Sequence, residues 1–228
     1  MPASALGDTA DRIRANVRWE YENLPYWDGE TDVCINASTL ASGAWLGTDV
    51  EPIVAFFTEH QLADGGWNCE WVEGSTRSSF HSTLNALRGM LAWEQLTGRD
   101  DLREVRLRGQ EYLLERRLLT RASTGERVGP WVEHLVHPVR WIYTALGALD
   151  HLRNAGVHDG VAPDPRAADA VAVVREARRD DGTWAPNVRL AGERWFEVDV
   201  EKGEPSPWLT FTALRALHWW DEAHDGEA

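Results

Sequence analysis

Apolar residues along the chain recur every three to four positions and almost never alternate, a pattern that predicts helices from end to end. The first runs from Asp8 to Asn23 on Ile13, Val17 and Tyr21, and Pro25 stops it. A small-residue helix follows from Asn36 to Leu46, and a third spans Val50 to Leu62 with Pro52 in its first turn, where the missing N–H costs little. The long stretch Ser78 to Leu96 carries Leu84, Leu87 and Leu91 at helical spacing and closes on Gly98. Asp101 to Leu119 is amphipathic, with Leu102, Val105, Leu113 and Leu114 inward and Arg103, Arg106, Arg108, Arg116 and Arg117 read as the solvated face. A sixth helix is expected from Pro138 to Asn154, ending at Gly156, and a seventh after Asp164-Pro165 with Ala167 to Val174 as its buried side. Trp208 to Glu222 is the eighth, and Trp195 to Val200 is the one stretch that reads as a short extended piece.

These helices follow a repeated grammar. Ser38-Thr-Leu-Ala41, Asn85-Ala-Leu-Arg88, Thr144-Ala-Leu-Gly147 and Thr212-Ala-Leu-Arg215 share a polar first position and a leucine at the third. Each lies beyond a tryptophan turn, at Trp27, Trp67, Trp131 and Trp184, and these are separated by 40, 64 and 53 residues. That is a helical-hairpin period with loops of varying length, and hairpins of this kind bury their apolar faces by stacking, one helix inside and one outside.

The turn Gln61-Leu-Ala-Asp-Gly-Gly-Trp67 with its following helix resembles the QW motif of squalene-hopene cyclases and the related prenyltransferase repeats. Asp180-Asp-Gly-Thr-Trp184 with Thr212-Ala-Leu is similar, with an arginine near the place of the glutamine. The stretches Leu114 to Leu149 and Arg178 to Trp220 also resemble small squalene-cyclase-like bacterial proteins. The resemblance implies an all-α fold, an incomplete or small α/α toroid of about four hairpins in a single domain over residues 1–228, with Gln61, Gly66, Trp67 and Trp184 in structural roles. It does not extend to the chemistry. No DxDD acid motif is present, Glu197-Val-Asp-Val-Glu201 being the nearest acidic spacing, and there is no DDxxD for a diphosphate-bound magnesium. Fold does not carry function with it.

Composition narrows the partners. Lys and Arg number 23 against 37 Asp and Glu, a formal charge of −14 with no basic stripe, which makes nucleic acid and anionic membrane surfaces poor partners for most of the surface. No apolar run is long enough to span a bilayer. Cys34 and Cys69 lack CxxC spacing and stand in unrelated contexts, so a reducing, cytoplasmic setting is expected. Thirteen tryptophans against five phenylalanines exceed what core filling requires, since Leu and Phe pack without an N–H to satisfy.

Under the repeat alignment, Cys34, His81, Arg140 and Trp208 occupy equivalent positions, four before the repeated polar residue. If these converge on one mouth they form a polar cluster, and His81, Arg140, Tyr143 and Asp150 are the catalytic candidates. Trp45, Trp93, Trp141 and Trp208, with Cys34, are the ligand-binding candidates. The competing reading makes each a core or backbone-satisfying residue, with Asp150 paired to an arginine. His134-x-x-His137 precedes Pro138 and reads as loop, so neither metal nor cofactor is expected. Three functions fit: a terpenoid-cyclase-like protein, in the enzymatic case a lyase or isomerase, acting on a hydrophobic or prenylated small molecule in an aromatic pocket; a non-catalytic ligand-binding or scaffold repeat; and a carbohydrate-active α/α barrel. An apolar edge left by so few hairpins predicts self-association as a homodimer.

Overall fold

The computed structural model describes residues 6–192 and 195–224, and among them the fold is all-α, with eight α-helices, four short 3₁₀ turns and only isolated β-bridges. The chain divides into two compact units, Met1–Tyr112 and Leu113–Ala228, each with its own core.

The first unit contains α1 (Thr9–Asn16), α2 (Val33–Leu46), α3 (Glu51–Glu59), α4 (Phe80–Thr97) and most of α5 (Arg103–Leu114). Its centre is the pair α2 and α4. Gly89 brings α4 against the α2 backbone, for a Cβ there would lie 2.5 Å from the Ala37 carbonyl oxygen. Both helices end on a left-handed glycine, Gly47 and Gly98, a conformation that costs glycine no Cβ clash. Ser79 starts α4 by accepting the Ser82 N–H on its side chain.

Several expectations for this unit need correction, among them the length of helix five, which ends at Leu114 and not Leu119. Helix one ends at Asn16, not Asn23: Val17 is extended, the Trp19 N–H bonds to the Leu24 carbonyl, and Trp19 stacks on Tyr26 at 4.6 Å, so the segment folds back as a closed loop. Arg106 is not on the solvated face of α5. The residues at i, i+4, i+7 and i+11, namely Leu102, Arg106, Gly109 and Leu113, form the buried stripe, and Arg106 reaches Glu94 through its Nε at 2.9 Å and Nη2 at 2.8 Å and Gln110 at 2.6 Å. A buried guanidinium needs such a set of acceptors, because an unpaired charge in the core is strongly destabilising.

The second unit holds α6 (Ala145–Asp159), α7 (Ala168–Glu176) and α8 (Pro207–His224). Helix six starts seven residues later than Pro138, because the Thr144 hydroxyl accepts the Gly147 N–H and caps the helix there; Arg140, in the preceding stretch, is left-handed at φ 48°. It also runs past Gly156 to Gly160, and Gly156 serves instead as a contact point, a Cβ there falling 2.9 Å from the Trp219 ring. Asp164 caps the short turn before α7 by accepting the Arg166 N–H at 2.8 Å. Ser206 caps α8 by accepting the Leu209 N–H at 3.0 Å. The 195–200 stretch forms no strand; the bridge in this region joins Trp184 to Ser206.

Each unit is tied together by one copy of the same turn. In the first, the Trp67 indole donates to the Phe57 carbonyl at 3.0 Å, its backbone N–H donates to Thr83 Oγ1 at 3.1 Å, and its carbonyl accepts the N–H of Ser79 at 2.8 Å. In the second, the Trp184 indole donates to Val174 at 2.7 Å, its N–H to Thr210 Oγ1 at 3.1 Å, and its carbonyl accepts the N–H of Ser206 at 2.8 Å. Both rings are fully buried. Gln61 donates to the Gly65 carbonyl at 2.7 Å, and Arg178, six residues before Trp184 as Gln61 is before Trp67, donates to Gly182 at 3.1 Å. Gln61 also reaches the Val105 carbonyl at 2.8 Å, within α5 rather than at its end. Gly66 is confined, since a Cβ would meet Thr83 Oγ1 at 2.4 Å. The four residues assigned structural roles occupy these positions.

Candidate functional site

In the first unit, the N-terminal ends of α2 and α4 and the short turn Cys69–Glu73 bring polar groups together. Cys34 is the second residue of α2, His81 the second of α4, and Cys69 stands two residues past Trp67. The two sulfur atoms lie 3.5 Å apart. Ser82 Oγ donates to Cys69 Sγ at 3.3 Å and accepts the Cys69 N–H at 3.2 Å, while Asn85 Nδ2 lies 3.6 Å from Cys34 Sγ and donates to the His81 carbonyl at 2.8 Å. Both thiols are half-buried and free. The hydrogen bond from Cys34 lowers the Cys69 thiol to about 7, against the opposing effect of burial, and Ser82 lowers it further. Cys34 is pushed up, first by its hydrogen bond to Cys69 and then by burial. Burial lowers the His81 imidazole. The two cysteines are therefore not in unrelated contexts. Sequence held one usable signal: Cys34 is the repeat counterpart of His81, and Cys69 lies in the turn leading into the His81 helix, so all three belong to one end of the unit.

The second unit gathers other candidates around α8. Leu209, Ala213, Ala216, Leu217 and Trp220 form its buried side. Trp208, Phe211 and Leu214 face outward, with Trp208 51% and Phe211 58% exposed. The His137 ring stacks on Trp208 at 5.2 Å with an 11° tilt, and the Trp208 indole donates to the Val198 carbonyl at 3.1 Å. Burial lowers the His137 imidazole, and the Asp199 carboxylate opposes that. Asp199 Oδ2 accepts from Ser206 Oγ at 2.8 Å, and its Oδ1 is enclosed without a hydrogen-bond partner. The Arg215 guanidinium sits over Phe211 at 5.1 Å while gripping Asp150 with Nε and Nη2, both at 2.6 Å.

The candidates thus separate. Cys34 and His81 are neighbours of one cluster, and Trp208 belongs to the aromatic face of the second unit. Arg140 lies beside Gly192, and the frame that made it equivalent to His81 breaks because α6 starts at Ala145. Trp141 next to it is 60% exposed. Tyr143 is not at a pocket wall: it is fully buried, and its hydroxyl donates to the Leu118 carbonyl at 2.8 Å. Asp150 is an ion-pair partner and not a free acid. Trp93 is core, under the Arg99 guanidinium at 4.7 Å, and Trp45 is partly exposed on the last turn of α2. A surface cleft lined by Arg175, Arg178, Trp184, Leu214 and His218 contains none of the nominated catalytic residues. His134 and His137 lie outside any helix. Among the described residues no helix is long and apolar enough to cross a membrane.

Compared with known proteins, the chain matches no family model, no curated sequence and no solved structure.

Proposed function

We propose that the protein binds an extended apolar small molecule of prenyl type along the outward face of α8, and that binding rather than catalysis is the role of this face. The observation that carries the reading is the row Trp208, Phe211 and Leu214, apolar and exposed, on the side of α8 opposite its buried stripe. Contiguous apolar surface of this sort marks interaction sites. Two aromatic rings, one stacked on His137 and one under Arg215, give a prenyl chain flat faces that are already held in place. The QW-like turns supply the link to prenyl chemistry as a resemblance. Catalysis is disfavoured by the candidates themselves, since Asp150 is neutralised by Arg215 and the Tyr143 hydroxyl is spent inside the core. The same pairing removes Asp150 from the carboxylate pair a glycosidase needs.

The test is a tryptophan-fluorescence titration with a prenyl alcohol, alongside a neutral oligosaccharide. The prenyl alcohol should saturate, and Trp208→Ala and Phe211→Ala should each weaken binding about tenfold, roughly 1.4 kcal/mol. Equal affinity in all three proteins, or saturation by the sugar alone, contradicts the reading. The same row favours a second occupant, another copy of the chain, which would form the homodimer expected from the repeat number. Sedimentation distinguishes them: a dimer that Phe211→Asp dissociates supports self-association, and a monomer leaves the face to the small molecule.

A further inference from the structure

We propose that Cys34 and Cys69 form a thiol–disulfide exchange site acting on low-molecular-weight disulfides, with Cys69 the attacking thiol and Cys34 the resolving one. Their sulfur atoms are 3.5 Å apart although the residues are distant in sequence, and the half-buried position of both leaves them within reach of a small molecule. A disulfide bond is about 2.05 Å long, so closing the pair takes an approach of about 1.5 Å. The supports differ for the two sulfurs. Ser82 donates to Cys69 from the first turn of α4, while the Asn85 amide stands against Cys34 one turn further on. Asp32, immediately before α2, is the carboxylate that acts on both sulfurs, and it disfavours the thiolate at each.

That asymmetry sets the order of events. The nucleophile in exchange is the thiolate, and an attacking thiol is most effective when its pKa lies near ambient pH. Cys69, held near neutrality by the Cys34 proton and the Ser82 hydroxyl, meets that condition. Cys69 sulfur attacks one sulfur of the small disulfide, forming a mixed disulfide and expelling one thiolate. The negative charge on Cys69 is then gone, and with it the interaction that held the Cys34 proton in place. The expelled thiolate takes up that proton. Cys34 sulfur next attacks Cys69 sulfur, breaking the mixed disulfide and releasing the second thiolate, which is protonated by water. Two protein thiols are oxidised to one disulfide, and one small disulfide is reduced to two small thiols.

Glutathione disulfide is the probe, with the full chain, acid quenching and intact-mass and peptide analysis at pH values below and above neutrality. The wild type should lose two hydrogens, yield a Cys34–Cys69 linked peptide and carry no lasting glutathione. Cys34→Ser should trap glutathione on Cys69, and Cys69→Ser should react at least about tenfold more slowly. The rate of the first step should rise with pH through about 7 and then level. Circular dichroism checks that both variants keep their helices. Glutathione adducts that persist on the wild type, linkage absent at every pH, or equal reactivity of the two single variants would each overturn the assignment. The wild-type result decides even if a variant fails to fold.

Discussion

The turns at Trp67 and Trp184 share nearly every hydrogen bond and only part of their sequence. In both, the indole reaches a carbonyl ten residues back, a threonine hydroxyl receives the tryptophan N–H, and the tryptophan carbonyl accepts the N–H of the serine that caps the next helix. Gly65 and Gly182 both take positive φ, at 93° and 83°. The difference lies at the first position. Gln61 divides its amide between Gly65 and Val105, whereas Arg178 satisfies Gly182 and lays its guanidinium over Trp184 at 5.5 Å. What the turn requires there is a donor of the right reach, not a particular residue. The position before the tryptophan differs as well: Gly66 has no room for a side chain, and Thr183 carries one, bonded to Asp181 at 2.6 Å.

The largest effects should come from the rings themselves. Trp67→Ala and Trp184→Ala should each cost about 3–5 kcal/mol, the range for truncating a buried large aromatic, measured by denaturant unfolding. An unchanged midpoint in either would break the equivalence of the two turns. The ion pairs separate the units next. Glu94→Ala removes the carboxylate that faces the buried Arg106 guanidinium and should cost about 3–5 kcal/mol, whereas Arg215→Ala opens a partly exposed pair and should cost about 1 kcal/mol or less. Comparable losses would mean that burial does not separate these pairs.

Smaller substitutions sharpen the comparison further. Gly66→Ala should cost about 1–3 kcal/mol by overpacking against Thr83, while Thr183→Gly should cost about 1 kcal/mol through the added freedom of the unfolded chain. The exchange Arg178→Gln should lie within about 1 kcal/mol of wild type, because one donor replaces another. The least effect is on pH dependence. His81 and His137 both have imidazoles lowered from the usual value by burial, so below about pH 6.5 the unfolded state binds more protons and stability falls on acidification. Each histidine replaced by Gln should flatten that acid limb in stability measurements on either side of this pH.

The helices and the shared build of the turns at Trp67 and Trp184 are legible because they depend on local periodicity and on contiguous turn residues, whereas the four-copy frame is not, since Arg140 falls outside α6. Helix ends are less legible. Thr144 and Pro138 are both acceptable helix starts in sequence, and the Thr144 cap decides between them by a hydrogen bond that sequence does not display. Five arginines on one helix suggest a wet face, and only the partner Glu94, on another helix, shows that Arg106 is buried. The thiol pair depends on how α2 and α4 register against each other, which Gly89 and Ala37 determine through close backbone contact. Tyr143 follows the same rule: its exposure turned on whether a carbonyl, here that of Leu118, waited in the core.

Indole N–H resonances observed during titration with a prenyl alcohol test directly whether Trp67 and Trp184, which tie the turns, stand apart from Trp208 on the binding face. The Trp208 signal, whose N–H is bonded to the Val198 carbonyl at the exposed face, should shift with saturation, while those of Trp67 and Trp184, bonded in the core, should stay fixed. Shifts at Trp67 or Trp184 without one at Trp208, or no shift at any of the three, would contradict it.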